Sequence, residues 1–269
     1  MIEIDEQVLL RQAYHTAMAA AMAGGRAALR IRLSPLTRTI KAPRDIVTGG
    51  DLAAQEAILT EIRGAFPSHG ILSEEASAEN GRPPFCWVVD PIDGTTNYYR
   101  GLPFYSISVA LACEDELLVG AVYDPSRNEM FSGLHGGGAF LNGEAIHAAE
   151  TEALGDCVFS LGLPYDVGDT CRMLDAGRQV IPLCACNRTL GSAALALSYI
   201  ACGRLDAYLH PYLHPWDAAA GALILREAGG IMSDLEGRDW DFRTKECLGA
   251  SPGVHAELLH RVRLALRPR

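Results

Sequence analysis

The sequence of 269 residues lacks the features by which membrane proteins and nucleic-acid-binding proteins are recognised. No apolar run approaches the roughly 20 residues that a membrane-spanning helix needs, and the first residues are acidic where a signal peptide is basic. With a net charge of −10 and no long run of Lys and Arg, most of the surface would repel a nucleic-acid polymer. We therefore expect a cytoplasmic protein that binds neither a membrane nor a nucleic-acid polymer.

Cysteine occurs eight times, but never in the Cys-x-x-Cys spacing of a zinc or redox site. Free thiols are therefore expected. Internal repeats and low-complexity tracts are also missing from the sequence. Because 49% of the residues are hydrophobic, the chain can bury a sizeable core as one large domain or as two closely packed halves.

Strand-like and helix-like segments interleave along the chain and predict a mixed α+β layered fold with several antiparallel hairpins. Period-two alternation over residues 105–113 is typical of a strand, and Asn142-Gly143 is typical of a tight hairpin turn. The later strands and helices are expected at residues 158–161, 192–201, 205–209 and 216–228. We therefore divide the chain into halves, residues 1–148 and 149–269, that form one compact unit.

The most informative segment is residues 90–97, with the sequence Asp-Pro-Ile-Asp-Gly-Thr-Thr-Asn. Asp90 follows an apolar run that is typical of a buried strand, so we expect it at the strand end, where the chain turns. Close carboxylates such as Asp90 and Asp93 repel each other unless a cation or a shared proton intervenes. Hard oxygen ligands suit Mg²⁺, which often works with phosphate substrates. The alternative is that both aspartates only shape a turn.

Other candidate residues each have a structural interpretation as well. Asp51 precedes a predicted helix and is a good N-cap. Adjacent glutamates such as Glu74 and Glu75 are usually a solvated pair. Asp217 suits the first turn of a helix, where an acid is favoured by the helix dipole.

A second helix start is expected at Gly191-Ser192-Ala193. Its free N–H groups would favour an anionic or hydroxyl-rich ligand, and a simple helix cap is an equally good interpretation.

Four segments, taken in order, resemble the signatures of the inositol monophosphatase family. They are residues 45–51, the pair Glu74-Glu75, residues 90–97 and residues 216–230. The resemblance implies an α/β/α/β/α sandwich of mixed, largely antiparallel sheets, with the site enclosed between the two halves. It also implies a phosphatase that uses two or three Mg²⁺ ions, is inhibited by lithium and forms a homodimer.

The resemblance assigns metal-binding roles within the first signature. Asp90 would bridge two metal ions, Asp93 would bind one of them, and the backbone carbonyl of Ile92 would bind the other. Glu74 and Asp217 match further metal ligands of the family.

The resemblance also implies catalytic and substrate-binding residues. Thr95 would help to activate the attacking water and Asp51 would accept a hydrogen bond from Thr95, so that Asp51, Glu74 and Thr95 form the catalytic set. The implied substrate contacts are Asp93, Gly94 and Thr95 on the phosphate side and Gly191, Ser192, Ala193 and His210 on the alcohol side.

Two positions depart from the family pattern. His210 stands where inositol-specific members carry an acid that binds inositol hydroxyls. A histidine can still bond a hydroxyl, but it can also be positively charged and so favour a substrate with a second anionic group. Lys41 is one position nearer to Asp51 than the family lysine, so its role stays open.

The function that these residues favour is magnesium-dependent hydrolysis of a small phosphate monoester, with inositol 1-phosphate as the default substrate. The same chemistry on histidinol phosphate, fructose 1,6-bisphosphate or 3′-phosphoadenosine nucleotides is the alternative. A third hypothesis is a catalytically silent member that binds a phosphate ligand or a protein partner as a regulator. The presence of all the matched carboxylates and of Thr95 favours an enzyme.

Overall fold

The structure of the protein, a computed structural model, describes residues 2–75, 81 and 83–266 of the chain. Its helices are α1 (Ile2–Ile31), α2 (Gly49–Ala65), α3 (Thr95–Arg100), α4 (Val167–Val180), α5 (Ala193–Ala201), α6 (Pro215–Glu227) and α7 (Pro252–Leu266). The strands of the first part of the chain are β1 (Arg38–Ala42), β2 (Asp45–Thr48), β3 (Gly70–Ser73), β4 (Phe85–Asp93), β5 (Ser106–Cys113), β6 (Glu116–Asp124), β7 (Glu129–Leu134), β8 (Gly138–Leu141) and β9 (Glu144–Ala145). Those of the second part are β10 (Val158–Leu161), β11 (Cys186–Arg188), β12 (Ala207–His210), β13 (Ile231–Ser233) and β14 (Cys247–Ala250).

The strands form two large sheets and one hairpin. The seven-stranded sheet has the order β3-β4-β5-β6-β7-β8-β9 and is antiparallel except between β3 and β4. The five-stranded sheet has the order β11-β10-β12-β14-β13, with β10 parallel to both of its neighbours. Strands β1 and β2 form the hairpin. The mixed, largely antiparallel sheets that we predict are confirmed.

The helices separate and cover the two large sheets. Helices α1 and α2 pack on one face of the seven-stranded sheet, and α5 and α6 pack between the two sheets. Helices α4 and α7 cover the outer face of the five-stranded sheet. The order is therefore the α/β/α/β/α sandwich that the resemblance implies.

The alternation in β5 explains how α6 approaches the seven-stranded sheet so closely. Its large side chains Ile107, Val109 and Leu111 pack under α1 and α2, whereas the small Ala110 and Ala112 face α5 and α6. In the neighbouring strand β6, a Cβ on Gly120 would collide with the backbone of α6. Small residues on this face therefore allow α6 to rest on the sheet and to place its first turn beside β4.

The division between the two large sheets lies near the boundary that the sequence suggests. The seven-stranded sheet ends at Ala145, and the five-stranded sheet begins at Val158. The halves 1–148 and 149–269 stay a prediction, because α5 and α6 pack against both sheets. Within the described part of the chain, no helix is both long enough and apolar enough to cross a membrane.

Candidate active site

Strand β4 carries the two aspartates of the first signature at a β-bulge. The expectation that Asp90 lies at the strand end, where the chain turns, is wrong, because β4 runs on to Asp93. Asp90 pairs with Ser108 and Asp93 pairs with Ser106, so β4 holds one extra residue between them. The bulge breaks the regular alternation of the strand, and both carboxylates are buried in the same region.

Four carboxylates from three parts of the fold meet around this bulge. Glu74 follows β3, which pairs in parallel with β4, and its amide donates to the carbonyl of Val89 at 3.2 Å. Glu74 therefore lies beside Asp90, and Asp217 reaches the same place from the first turn of α6. Burial raises the pKa of Asp90 well above its usual range, and the charges of Glu74, Asp93 and Asp217 raise it further.

Asp93 makes its hydrogen bonds to the start of α5. Its carboxylate accepts from Ser192 Oγ at 2.5 Å, from the Ala193 amide at 3.2 Å and from the Ala194 amide at 2.8 Å. Burial raises the pKa of Asp93 to about 6, although these three donors oppose the rise. The N–H groups that we expected to be free for a ligand are therefore bonded to the chain's own Asp93. Ser192 is also the N-cap of α5, as the interpretation of this segment as a simple helix cap predicts.

The remaining carboxylates are hydrogen-bonded to the backbone. Asp90 accepts from the Ile92 amide at 3.0 Å, and Asp217 accepts from the His214 amide at 2.7 Å. Desolvation and the charge of Asp93 raise the pKa of Asp217. Among the described residues, no three His, Cys, Asp or Glu side chains are gathered closely enough to form a ready-made metal cage.

Lys41 enters the site, which sequence reasoning left open. Its ammonium lies 2.7 Å from Glu74 Oε1, 2.6 Å from Glu75 Oε1 and 3.6 Å from Asp45 Oδ1. The β1–β2 register shifts between Ile40 and Ala42, and this irregularity lies at Lys41 itself. The displaced position in the sequence therefore does not prevent Lys41 from reaching the acidic pair. The sequence contains only two lysines, and this scarcity could have marked Lys41 as a candidate site residue.

Asp51 and Thr95 are joined directly in the buried interior. Thr95 Oγ1 lies 2.8 Å from Asp51 Oδ1 and 3.0 Å from the carbonyl oxygen of Ile92. The other carboxylate oxygen of Asp51 accepts from the amide and the hydroxyl of Thr48, at 2.8 and 2.6 Å. Thr48 is the N-cap of α2, so our prediction of Asp51 as the N-cap is wrong. Asp51 is instead the third residue of α2 and closes a capping box with Thr48.

Gly94 and Asn97 hold the first signature against the segment before α5. Gly94 has φ of +94°, and a Cβ there would approach the carbonyl oxygen of Gly191 to 2.9 Å. Asn97 donates to the carbonyl of Phe104 at 2.6 Å and to that of Leu190 at 2.7 Å. Sequence reasoning gave Asn97 no role, although it is the last residue of the motif.

His210 ends β12 and is almost fully buried. Burial lowers its pKa to about 4, so the ring is neutral near neutral pH. Nδ1 accepts from the Tyr212 amide at 3.1 Å, which places the ring proton on Nε2. The expectation that a positive His210 favours a second anionic group is therefore wrong.

The chain is similar in sequence and in fold to known proteins. The family model described as the inositol monophosphatase family matches residues 9–266. A "Nus factor SuhB" of Pasteurella multocida is 38% identical over 87% of this chain and 89% of that protein. An "Inositol-1-monophosphatase" of Mesorhizobium japonicum is 38% identical over 81% of this chain and 84% of that protein. The crystal structure of the suhB protein of Bartonella henselae superposes with a TM-score of 0.88 at 34% identity, covering 93% of this chain and 97% of that one.

Proposed function

The chain belongs to the inositol monophosphatase family of phosphoric monoester hydrolases, and we propose that it hydrolyses a small phosphate monoester with the help of Mg²⁺. The observation that carries the proposal is the meeting of four carboxylates around one bulge, two from β4, one from the end of β3 and one from α6. A purely structural cluster would pair each acid with a base. In the described part of this one, Lys41 bonds only to the acids at Glu74 and Glu75 and, more distantly, Asp45.

The donor set fits a hard divalent cation in its chemistry. Glu74, Asp90, Asp93 and Asp217 offer only carboxylate oxygens, and the Ile92 carbonyl adds a neutral oxygen. Oxygen-only ligands are typical of Mg²⁺ sites. Bound Mg²⁺ would neutralise charge on the phosphate and lower the pKa of the attacking water. We propose two or three ions, with Asp90 as the shared ligand.

The chain itself would hold and orient the reactants. Thr95 donates to Asp51, so its lone pairs face away from the carboxylate and can accept a proton from a water beside the cluster. Asp51 keeps this hydroxyl oriented, because Thr48 fixes its other oxygen. The amides of Gly94 and Thr95 are proposed to donate to the phosphate. Glu74 is proposed to take part in catalysis together with Thr95 and Asp51.

The alcohol side of the substrate would meet the loops that follow the five-stranded sheet. We propose contacts with Gly191, Ser192, Ala193 and His210. His210 would act as a neutral donor through Nε2. Inositol 1-phosphate remains the default substrate by family, with histidinol phosphate, fructose 1,6-bisphosphate and 3′-phosphoadenosine nucleotides as alternatives.

The test is phosphate release from these four substrates with and without Mg²⁺, for the wild type and the Asp93→Asn variant. We expect release that requires magnesium and falls at least a hundredfold in the variant. Asp234→Asn is the control, because Asp234 accepts hydrogen bonds from Glu236 and Arg238, away from the cluster. No release from any substrate would favour the silent binding protein instead. Release that is unaffected by removal of the metal would overturn the metal assignment.

Three further properties belong to the same proposal. Lithium should inhibit the release, the protein should form a homodimer in solution, and its location should be cytoplasmic. Adding lithium chloride to the same assay, with potassium chloride as the control, tests the first. The mass measured by light scattering tests the second.

A further inference from the structure

Two neighbouring parallel strands end beside the site and send their loops to the same edge. Leu161, at the end of β10, pairs with Leu209 in β12, so the loops after both strands leave together. The loops also touch, because a Cβ on Gly162 would collide with the ring of His210. Ligands commonly bind at the carboxyl ends of parallel strands. Residues 162–166 and 211–216 are therefore placed to contact whatever extends from the carboxylate cluster.

The loop after β12 presents a series of rings at this edge. The imidazole of His214 stacks on the indole of Trp216 with a centroid distance of 4.7 Å and an interplanar angle of 11°. The ring of Tyr212 meets His214 edge-on at 5.4 Å and 85°. Lys245 donates to the Tyr212 hydroxyl at 2.9 Å, which fixes that ring from the far side.

Tyr212 and His214 remain accessible, Trp216 is half-buried against the core, and the backbone of this loop is anchored to the cluster. Tyr212 is 38% exposed, and His214 is also exposed. The His214 amide donates to Asp217 at 2.7 Å, so the stack has a fixed position relative to a proposed metal ligand. Exposed rings held in place next to a catalytic cluster differ from core aromatics, which bury their faces against neighbours.

A fourth ring approaches from the loop after β10. Tyr165 is 56% exposed. Desolvation raises the pKa of its hydroxyl to about 12, and the charges of Asp45, Glu74, Asp217 and Asp93 contribute to the rise. Tyr165 belongs to the other loop of the pair, which touches the end of β12 where a Cβ on Gly162 would collide with His210.

We propose that Tyr165, Tyr212, His214 and Trp216, here called the aromatic rim, bind a planar ring in the alcohol part of the substrate. This inference rests on the proposed function and narrows its substrate class to phosphate monoesters of ring-bearing alcohols. The rim offers aromatic rings at this edge, and the Nε2–H of His210 adds a neutral donor beside them. Stacking against such rings favours a planar group over a saturated one of the same size.

The test compares two esters of primary alcohols that differ only in the ring, 2-phenylethyl phosphate and 2-cyclohexylethyl phosphate. Their leaving groups match in basicity, so a difference in rate reports on the ring. We expect the planar ester to have about a tenfold higher kcat/KM, mainly through a lower KM. His214→Ala should reduce this preference to about twofold or less, and His214→Phe should restore it, because phenylalanine keeps a planar ring.

His135→Ala is the matched control, since His135 is an exposed histidine in the turn between β7 and β8. It should keep the tenfold preference. Equal kcat/KM for both esters in the wild type would overturn the subsite while leaving the phosphatase intact. An equal loss on both esters in His214→Ala without rescue by His214→Phe would also overturn it, because the histidine would then act through Asp217. No release from either ester or from the four earlier substrates would instead refute the proposed function.

Discussion

Thr95 and Asp51 lie 44 residues apart in the chain, yet Thr95 Oγ1 is 2.8 Å from Asp51 Oδ1 in the buried interior. Asp51 belongs to the capping box of α2, and Thr95 opens α3 directly after the β4 bulge. The helix cap and the proposed proton relay therefore share one carboxylate. This shared use predicts that changes at the two residues have different consequences for stability and for activity.

Replacing Thr95 by alanine should affect activity far more than stability. We expect Thr95→Ala to lower kcat by about a hundredfold or more, because the hydroxyl that would accept a proton is lost. Asp51 keeps its two bonds to Thr48, so the loss of stability should be limited to the one bond from Thr95, about 1 kcal/mol. Thr95→Ser retains the hydroxyl and serves as the control. A Thr95→Ser variant as inactive as Thr95→Ala would show that the methyl group, rather than the hydroxyl, is required.

Replacing Asp51 by asparagine should lower both activity and stability. An amide group replaces one of the two oxygens that accept hydrogen bonds, so the capping box or the bond to Thr95 is lost. We expect about 1 kcal/mol of lost stability, measured by urea unfolding. The double variant with Thr95→Ala should be no slower than Thr95→Ala alone, since the relay is already broken. Fully additive losses in kcat would contradict a shared relay.

Asn97 should contribute to the stability of the site through its amide group. Asn97→Ala leaves the carbonyls of Phe104 and Leu190 without their donor, which should cost about 2 kcal/mol. The segment before α5 is then less firmly held, so KM should also rise. Thr60→Ala, which removes an exposed bond to the Glu56 carbonyl, is the control and should cost less than about 0.5 kcal/mol. Unchanged urea unfolding in Asn97→Ala would show that these bonds add nothing.

The sequence predicts those parts of the site that depend on residues close together in the chain. It does not predict the parts that depend on which strands and helices pack together. The apolar run before Asp90 marks a strand, but only the pairing with Ser106 and Ser108 reveals the bulge that continues β4 to Asp93. Thr48 and Asp51 are three residues apart and form a recognisable capping box. The wrong prediction of Asp51 as the N-cap therefore came from choosing the wrong residue of a local motif. The bonds from Asp93 to α5 span about 100 residues, and sequence spacing gives no sign of them.

His210 should make the protein less stable in mild acid. Burial lowers its pKa to about 4 in the folded state, against about 6.5 when unfolded. The contribution of neutral His210 to the free energy of unfolding is therefore complete above about pH 6.5. It is lost as the pH falls through about 4, because the unfolded chain takes up the proton first. Between about pH 7.5 and about pH 5 the protonation of His210 in the unfolded chain should lower the free energy of unfolding by about 2 kcal/mol.

The His210→Asn variant isolates this contribution, because asparagine can keep an acceptor for the Tyr212 amide without titrating. The buried acids titrate in both proteins, so the difference between their urea-unfolding free energies reports on His210. That difference should shrink towards acid by about 2 kcal/mol. His135→Asn is the control and should follow the wild type. Parallel curves for the wild type and His210→Asn would mean that the ring is already protonated, or equally accessible, in the folded protein.

Lys41 should weaken magnesium binding at the carboxylate cluster. Its ammonium bonds to Glu74 and Glu75, so a cation at Glu74 must displace it and is also repelled by it. We therefore expect Lys41→Met to bind Mg²⁺ about tenfold more tightly in isothermal titration calorimetry, and Lys41→Arg to stay close to the wild type. The same variant should lower the melting temperature without metal, because Glu74 and Glu75 then repel each other without compensation.

Lys245→Met separates a specific effect of Lys41 from the general field of the site. These are the two lysines of the sequence, and Lys245 bonds to Tyr212 rather than to a proposed metal ligand. If both variants tighten magnesium binding equally, the effect is only the loss of one positive charge. If Lys41→Met weakens binding, the ammonium must hold Glu74 in its binding orientation. Tighter binding in Lys41→Met alone would establish that Lys41 occupies, in the metal-free protein, the place of a cation.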